Sequence, residues 1–483
     1  MRDYQSSVAT LAACACLKPK PLGRWTEAAG ANQIRSGRRL VRAVALLTLL
    51  VATGSAIALA PGEDGVRVTI PVSGISDIAQ AVVVDPDGNL VLAGSAGGNY
   101  SVLARVTPSG SLDGTFGSSG IASIDLSVGR GDALRALVRL DDGRYLGCGS
   151  FDSATTARDF VVARFNSDGS LDLTFDGVGY VVTAFRESGQ GGGLMDQCNA
   201  MVVQADGKIV AAGVTNATGP DHVAIARYTA NGVLDSTFGT GGKLDINGAA
   251  AANGNSDART VLVQPDGKLL VAGTAVGAGG NGDLLVMRLN ADGTLDAGFG
   301  SGGITRTSVA PSEDIANAMV RQPDGRIVIA GSTYATGGQR DFALARYTSA
   351  GILDSSFGTG GIVTTAVGPS DDYAYALILM PWGRLVAAGS ARIVAGQPGT
   401  DLAVVAYNAD GSLDRYFGDA GKRMVHVSGF DTAYGLASDL SGARFWAVGT
   451  AQGSQTTGPD FLAIEFGLPD TIFRNGFENA TAP

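Results

Sequence analysis

The chain has 483 residues, with 35 lysines and arginines against 45 aspartates and glutamates, a formal charge of −10 and a pI near 4.8. That acidic balance, with no basic patch, argues against nucleic acid or an anionic membrane as partner, since either would want an electropositive face. With 71 glycines and only 17% charged residues but 45% apolar ones, the composition fits many turns around a real core and not a disordered chain.

In chain order, residues 1–34 show no periodicity and precede a cluster at Arg35, Arg38, Arg39 and Arg42. The apolar run from Ala43 to Ala60 follows and ends in Ala56-Ile57-Ala58 and Ala58-Leu59-Ala60, both of which fit the small-x-small cleavage rule. Residues 1–60 are therefore expected to be a leader and signal peptide, and the mature protein to be exported to the periplasm, cell surface or medium. An uncleaved anchor is the alternative, because about 18 apolar residues could span a thin bilayer, although Gly54 and Ser55 weaken it. Loss of the leader removes Cys14 and Cys16 and leaves Cys148 and Cys198. Their spacing matches no metal site, so a disulfide permitted by export or two buried thiols are the readings left open.

From residue 61 to 467 one pattern recurs seven times. In the stretch from Asp314 to Gly361, the short β-branched runs Ala318 to Arg321 and Ile327 to Gly331 are joined by Gln322-Pro323-Asp324-Gly325, the composition of a hairpin turn. A third run, Phe342 to Tyr347, opens with Asp341 and leads through Leu353, Asp354 and Phe357 to Gly361, after which Ile362 to Ala366 is expected to start the next unit. The turn glycine falls at Gly88, Gly143, Gly207, Gly267, Gly325, Gly383 and Gly442, 55 to 64 residues apart. Units too small to bury a face alone, four strands each, predict an all-β fold: a seven-bladed β-propeller of four-stranded antiparallel blades. Residues 468–483 form a C-terminal tail. Its Asp470 to Glu478 stretch resembles a short terminal motif of some exported gammaproteobacterial proteins, or else tucks against the last blade.

Paired valines, Gln-Pro-Asp-Gly-Lys, Ala-Gly, Ala-Arg-Tyr, Asp-Gly-x-Leu-Asp and Phe-Gly-x-x-Gly together resemble the bacterial delta-60 repeat. The likeness runs from about Val66 to Gly467 and is clearest in repeats three to five. It implies an exported, propeller-like bacterial protein and carries no catalytic residue. The chain departs from the pattern at Pro381-Trp382, at Asp439-Leu440-Ser441, and at Ala406 and Glu465, which stand in place of the recurring arginine.

The side chains that might carry chemistry mostly repeat. One aspartate set (Asp77, Asp132, Asp196, Asp314, Asp372, Asp431) reads as turn caps, and the arginines Arg105, Arg164, Arg227, Arg288 and Arg346 as structural partners of repeated aspartates. Asp85 to Asn89 looks calcium-like in isolation but is this repeat's hairpin turn, so no cofactor is expected; calcium has no specific motif. His222 and His426, the two histidines, are read as too far apart for a shared metal site. A non-enzymatic binding or surface module is therefore expected, with carbohydrate or protein as partner, no stable membrane span after leader removal, and a monomeric state. The alternative is a propeller hydrolase or lyase acting on an extracellular polysaccharide. The longest variable loops adjoin on repeats three and four, and place a candidate ligand site at Arg186, Glu187, Gln190, Asn253 and Asn255.

Overall fold

A computed structural model describes residues 56–58, 66–97, 100–124, 131–152, 157–185, 194–217, 219–249, 254–276, 280–334, 338–392, 399–439, 442, 444–452 and 458–467. Among these the fold is all strand, apart from a 3-10 turn at Pro381–Gly383. Trp382 takes φ +62° there, and Met380 N still donates to Arg384 O at 2.8 Å, so the hairpin survives the loss of the usual aspartate.

Four sheets share one plan, with four antiparallel strands in sequence order; the first is Asp77–Val84, Leu90–Ala96, Tyr100–Val106 and Ile121–Ile124. The others open on Thr260–Val263, Ile315–Arg321 and Asp372–Leu379. Repeats two and three have the same internal pairing. They merge into one eight-stranded sheet through a short parallel bridge of Leu194 and Met195 with Ala157 and Arg158. A disulfide between Cys148 and Cys198, with Cα atoms 6.0 Å apart, joins the same two repeats. The last sheet runs Asp431–Ser438, Arg444–Gln452, Pro459–Gly467 and then Val66–Ile70, with Ala56–Ala58 beyond it.

One sequence expectation changes here. Ile362–Thr365 pairs with Arg340–Tyr347 and so closes its own sheet instead of starting the next. The N-terminal strand Val66–Ile70 in turn lies antiparallel beside Pro459–Gly467 in the last sheet. The cause is a circular offset of the repeat, whose short fourth strand is supplied for the last sheet by the start of the chain.

The strand that opens each sheet, called the leading strand below, contacts the leading strand of the next, and Asp431–Ser438 contacts Asp77–Val84. Apolar clusters lie between successive sheets. Met380, Val386 and Phe417 pack with Phe445 and Leu462, while Val82 and Leu92 pack with Val448, Phe461, Val68 and Ile70. The repeat's motif residues build these junctions. At the tyrosine that ends Ala-Arg-Tyr, and at its counterpart Tyr407 after Ala406, the buried Tyr228, Tyr347 and Tyr407 hydroxyls donate to Thr183, Thr307 and Thr365 on the fourth strand of the preceding repeat, at 2.7 to 3.0 Å. In Ala-Gly, a Cβ on Gly213 or Gly331 would collide with the carbonyl oxygen of Gln197 or Ile315, so only glycine lets the second strand close on the leading strand there.

Candidate functional site

The recurring charges are used inside the scaffold. Arg164 Nε donates to Asp172 at 2.7 Å, its Nη1 reaches Ala230 O in the next repeat at 2.6 Å, and its guanidinium lies 4.8 Å from the centre of the Phe175 ring. The same arrangement holds at Arg105, Arg227, Arg288 and Arg346, so one arginine, one aspartate and one phenylalanine of the pattern form a single structural device. A second cation from the hairpin joins each aspartate from repeat two to repeat five, for example Lys268 to Asp296 at 2.7 Å. In repeat six, where Ala406 replaces the arginine, Arg384 takes up Asp414 at 3.2 Å.

The other aspartates cap loops. Asp314 Oδ2 accepts from the backbone N–H groups of Val309 and Ala310, and Asp372 Oδ2 from those of Val367 and Gly368. Each faces a second carboxylate from the neighbouring repeat. Burial, together with Asp341, raises the Asp372 carboxyl to about 6, and burial with Asp196 raises Asp159 to about 6. The Arg-paired set moves the opposite way: Lys268 first, then the Gly298 amide and Arg288, hold Asp296 down at about 2.

The two sets give opposite pH dependences. A carboxyl raised in the fold stabilises it below its unfolded value, near 3.9, and that contribution is lost as pH rises through about 6. A depressed carboxyl stabilises above its unfolded value and loses the effect as pH falls through its folded value. The melting temperature is therefore expected to rise as pH falls from 7.5 to 5, and to fall again below about 4. Asp372→Asn is expected to flatten the upper slope; thermal melts across pH with an unchanged slope in that variant would count against this assignment.

Of the residues singled out from the loops, Arg186, Glu187, Gln190 and Asn253 lie outside the described residues. Asn255 is described and serves the backbone: its Oδ1 accepts from Asp221 N at 3.1 Å and its carbonyl from Val276 N at 2.8 Å. The Asp401, His426 and Asp431 ligand atoms lie within 4.8 Å of one another, a grouping not expected from the sequence. Asp431 is already engaged there by Val427 N, Ser428 N and Ser428 Oγ, and His426 Nδ1 lies 2.8 Å from Asp401.

A different set of residues stands out on the leading strands. In six of them the pairing register skips one residue: Gln80, Arg135, Asn199, Asn317, Tyr375 and Tyr434. Arg259 occupies the matching place after the buried Ala258. Such a bulge turns its side chain out of the ladder. All these positions except Gln80 are tied together by direct contacts or by electrostatics. Asn199 Nδ2 donates to Ala258 O at 2.9 Å, Arg259 Nη1 to Asn317 Oδ1 at 2.6 Å, and Asn317 Nδ2 to Ala374 O at 2.6 Å. The Tyr375 ring lies 5.1 Å from Tyr434 and 6.1 Å from Tyr373. Arg135 lies within electrostatic reach of Arg158, Arg259 and Tyr434; burial first, and then the two arginines, pull its guanidinium down. The next position is alanine or glycine in every repeat but the fourth, which has Thr260, and at Gly435 a Cβ would stand 3.2 Å from Gln80 O. The scaffold thus keeps its close approach constant and varies the side chain beside it. Toward the hairpin ends of the leading strands, Leu262, Val320, Arg321 and Leu379 line part of a cleft of about 780 Å³.

Repeated four-stranded antiparallel sheets packed face to face through their leading strands define a β-propeller repeat protein. Six segments, residues 86–116, 140–175, 204–238, 264–299, 322–357 and 383–417, match the model of a domain of unknown function (DUF5122) described as a beta-propeller. No curated protein sequence matches the chain. Similar solved structures include the polysaccharide lyase Uly1 (10% identity, TM-score 0.44, 81% of this chain and 90% of that one). The hydrazine synthase of Kuenenia stuttgartiensis (11%, 0.41, 76% and 92%) and Sqt1 from Chaetomium thermophilum (12%, 0.39, 82% and 97%) are also similar. No helix among the described residues is long and apolar enough to cross a membrane.

Proposed function

We propose that the chain is an exported, seven-bladed propeller of the delta-60 type that serves as a non-enzymatic binding module for carbohydrate or protein. The observation that carries this reading is the contrast on the leading strands. The residues that hold the scaffold repeat, whereas one position, marked by a register break, changes among amide, guanidinium and phenol side chains. Variation at a fixed geometric position is how a rigid frame acquires specificity. The succession of leading-strand contacts, with the last on the first, supports the sevenfold ring. A disulfide between Cys148 and Cys198 supports an oxidising compartment. Cleavage after Ala58 or Ala60 would retain Val66–Ile70, the strand that completes the last sheet.

Protein recovered from a native host is expected to begin between Leu59 and Pro61 on terminal sequencing, and to show saturable binding to a member of an immobilised glycan and protein panel. Intact Met1 on a cytoplasmic protein would end the export reading. Chain cleavage of a polysaccharide by the purified protein would replace the binding module with a hydrolase or lyase.

A further inference from the structure

Among the bulge residues, Arg135 stands apart. The asparagines are spent on links between repeats, and Arg259 is oriented by Asp257 at 2.9 Å and Asn317 at 2.6 Å. Among the described residues, Arg135 Nε has no hydrogen-bond partner and no carboxylate forms an ion pair with Arg135. A half-buried guanidinium held near a second one, with no counter-ion, is an unfavourable arrangement that an anion would relieve. The anion's shape is constrained as well. Arginine forks match the planar, two-oxygen carboxylate, and the neighbouring faces are aromatic: Tyr375 and Tyr434 meet at 5.1 Å with an interplanar angle of 50°. Burial keeps both phenols protonated, with Tyr375 raised to about 12, so they remain donors near neutral pH.

We infer that Arg135 and Arg259, with Tyr375 and Tyr434, form a site for a ring-bearing carboxylate, in which the guanidiniums grip the acid and the tyrosines cover the ring face. The inference rests on reading the chain as a binding module and names the ligand chemistry for it. Two sources supply that chemistry: a uronic acid residue of a glycan, and a small aromatic acid.

Calorimetric titration of the purified protein with glucuronate, benzoate, glucose and sulfate tests it. Glucuronate or benzoate is expected to bind at least tenfold tighter than glucose, with the stronger of the two identifying the source. Arg135→Gln is expected to weaken that binding at least tenfold while the melting temperature stays level or rises, because the repulsion of a half-buried guanidinium by neighbouring arginines is removed. Arg135→Lys, which keeps the charge but loses the fork, is expected to give an intermediate affinity. Equal binding of glucose and glucuronate, binding of sulfate alone, or unchanged affinity in Arg135→Gln would each overturn the site. The selectivity of the unmodified protein decides the matter even if a variant fails to fold. A panel glycan or protein that binds the Arg135→Gln chain as well as the parent would leave the module reading standing and remove this site; absence of any binding partner would remove both.

Discussion

A chain that starts at Val72, and so lacks Val66–Ile70, is expected to aggregate or melt far below a chain that starts at Pro61. The missing strand pairs with Pro459–Gly467 through Arg67, Val68, Thr69 and Ile70. Val68 and Ile70 are 4% and 1% exposed and pack in the cluster shared by the last and first sheets. Uncovering those two side chains alone costs about 3–6 kcal/mol, and the freed edge offers an unpaired row of N–H and C=O groups to other chains. Thermal melts and light scattering of the two chains make the comparison. Equal melting temperatures and equal monodispersity would show that the N-terminal strand is an ornament and not the closing element.

Phe238→Ala is expected to be the most costly single change in the middle of the chain. Its ring is fully buried between repeats three and four. It carries the Arg227 guanidinium 4.4 Å from its centre and lies against Gly293, whose φ of +93° and lack of a Cβ leave the room it fills. Large-to-small substitution at such a site costs about 3–5 kcal/mol, and loss of the cation–π contact adds about 0.5–2 kcal/mol. Leu173→Ala, at a 65% exposed position, is the control, expected within about 0.5 kcal/mol of the parent. Denaturant titrations that give the two variants the same midpoint would contradict this account of the repeated phenylalanine.

Much of the fold was legible because its constraints repeat. Gln322-Pro323-Asp324-Gly325 has few conformations open to it, and the hairpin forms there, with Gln322 N to Arg326 O at 2.8 Å. The recurring arginines and aspartates were readable as partners for the same reason. The sheet to which a four-residue strand such as Ile362–Thr365 belongs was not readable, since it carries barely two alternations of side chains and no mark of its neighbour. The leading-strand bulges escaped for the opposite reason. Gln80, Arg135, Asn199, Arg259, Asn317, Tyr375 and Tyr434 differ from repeat to repeat, and comparing repeats discards what differs. The available signal was positional: a varying polar or aromatic residue set between an apolar residue and one that is alanine or glycine in all repeats but the fourth, as in Leu134-Arg135-Ala136 and Ala433-Tyr434-Gly435. The loop residues Arg186, Glu187, Gln190 and Asn253 drew attention through insertion length, which says where a chain tolerates change and little about what it holds.

The arginine tethers all point one way along the chain. Arg105, Arg164, Arg227, Arg288 and Arg346 each grasp a turn carbonyl of the following repeat, at Ser167, Ala230, Ala291, Ser349 and Ala409. Ala406 and Glu465 break the series at the last two junctions. Pulled apart from its ends, or jostled by heat, such a molecule would part first on either side of its final repeat, like a clasp in a chain of riveted links. The same sequence departures that make the final repeats hard to recognise thus give the assembly a place to come undone, next to the strand that the N-terminus contributes.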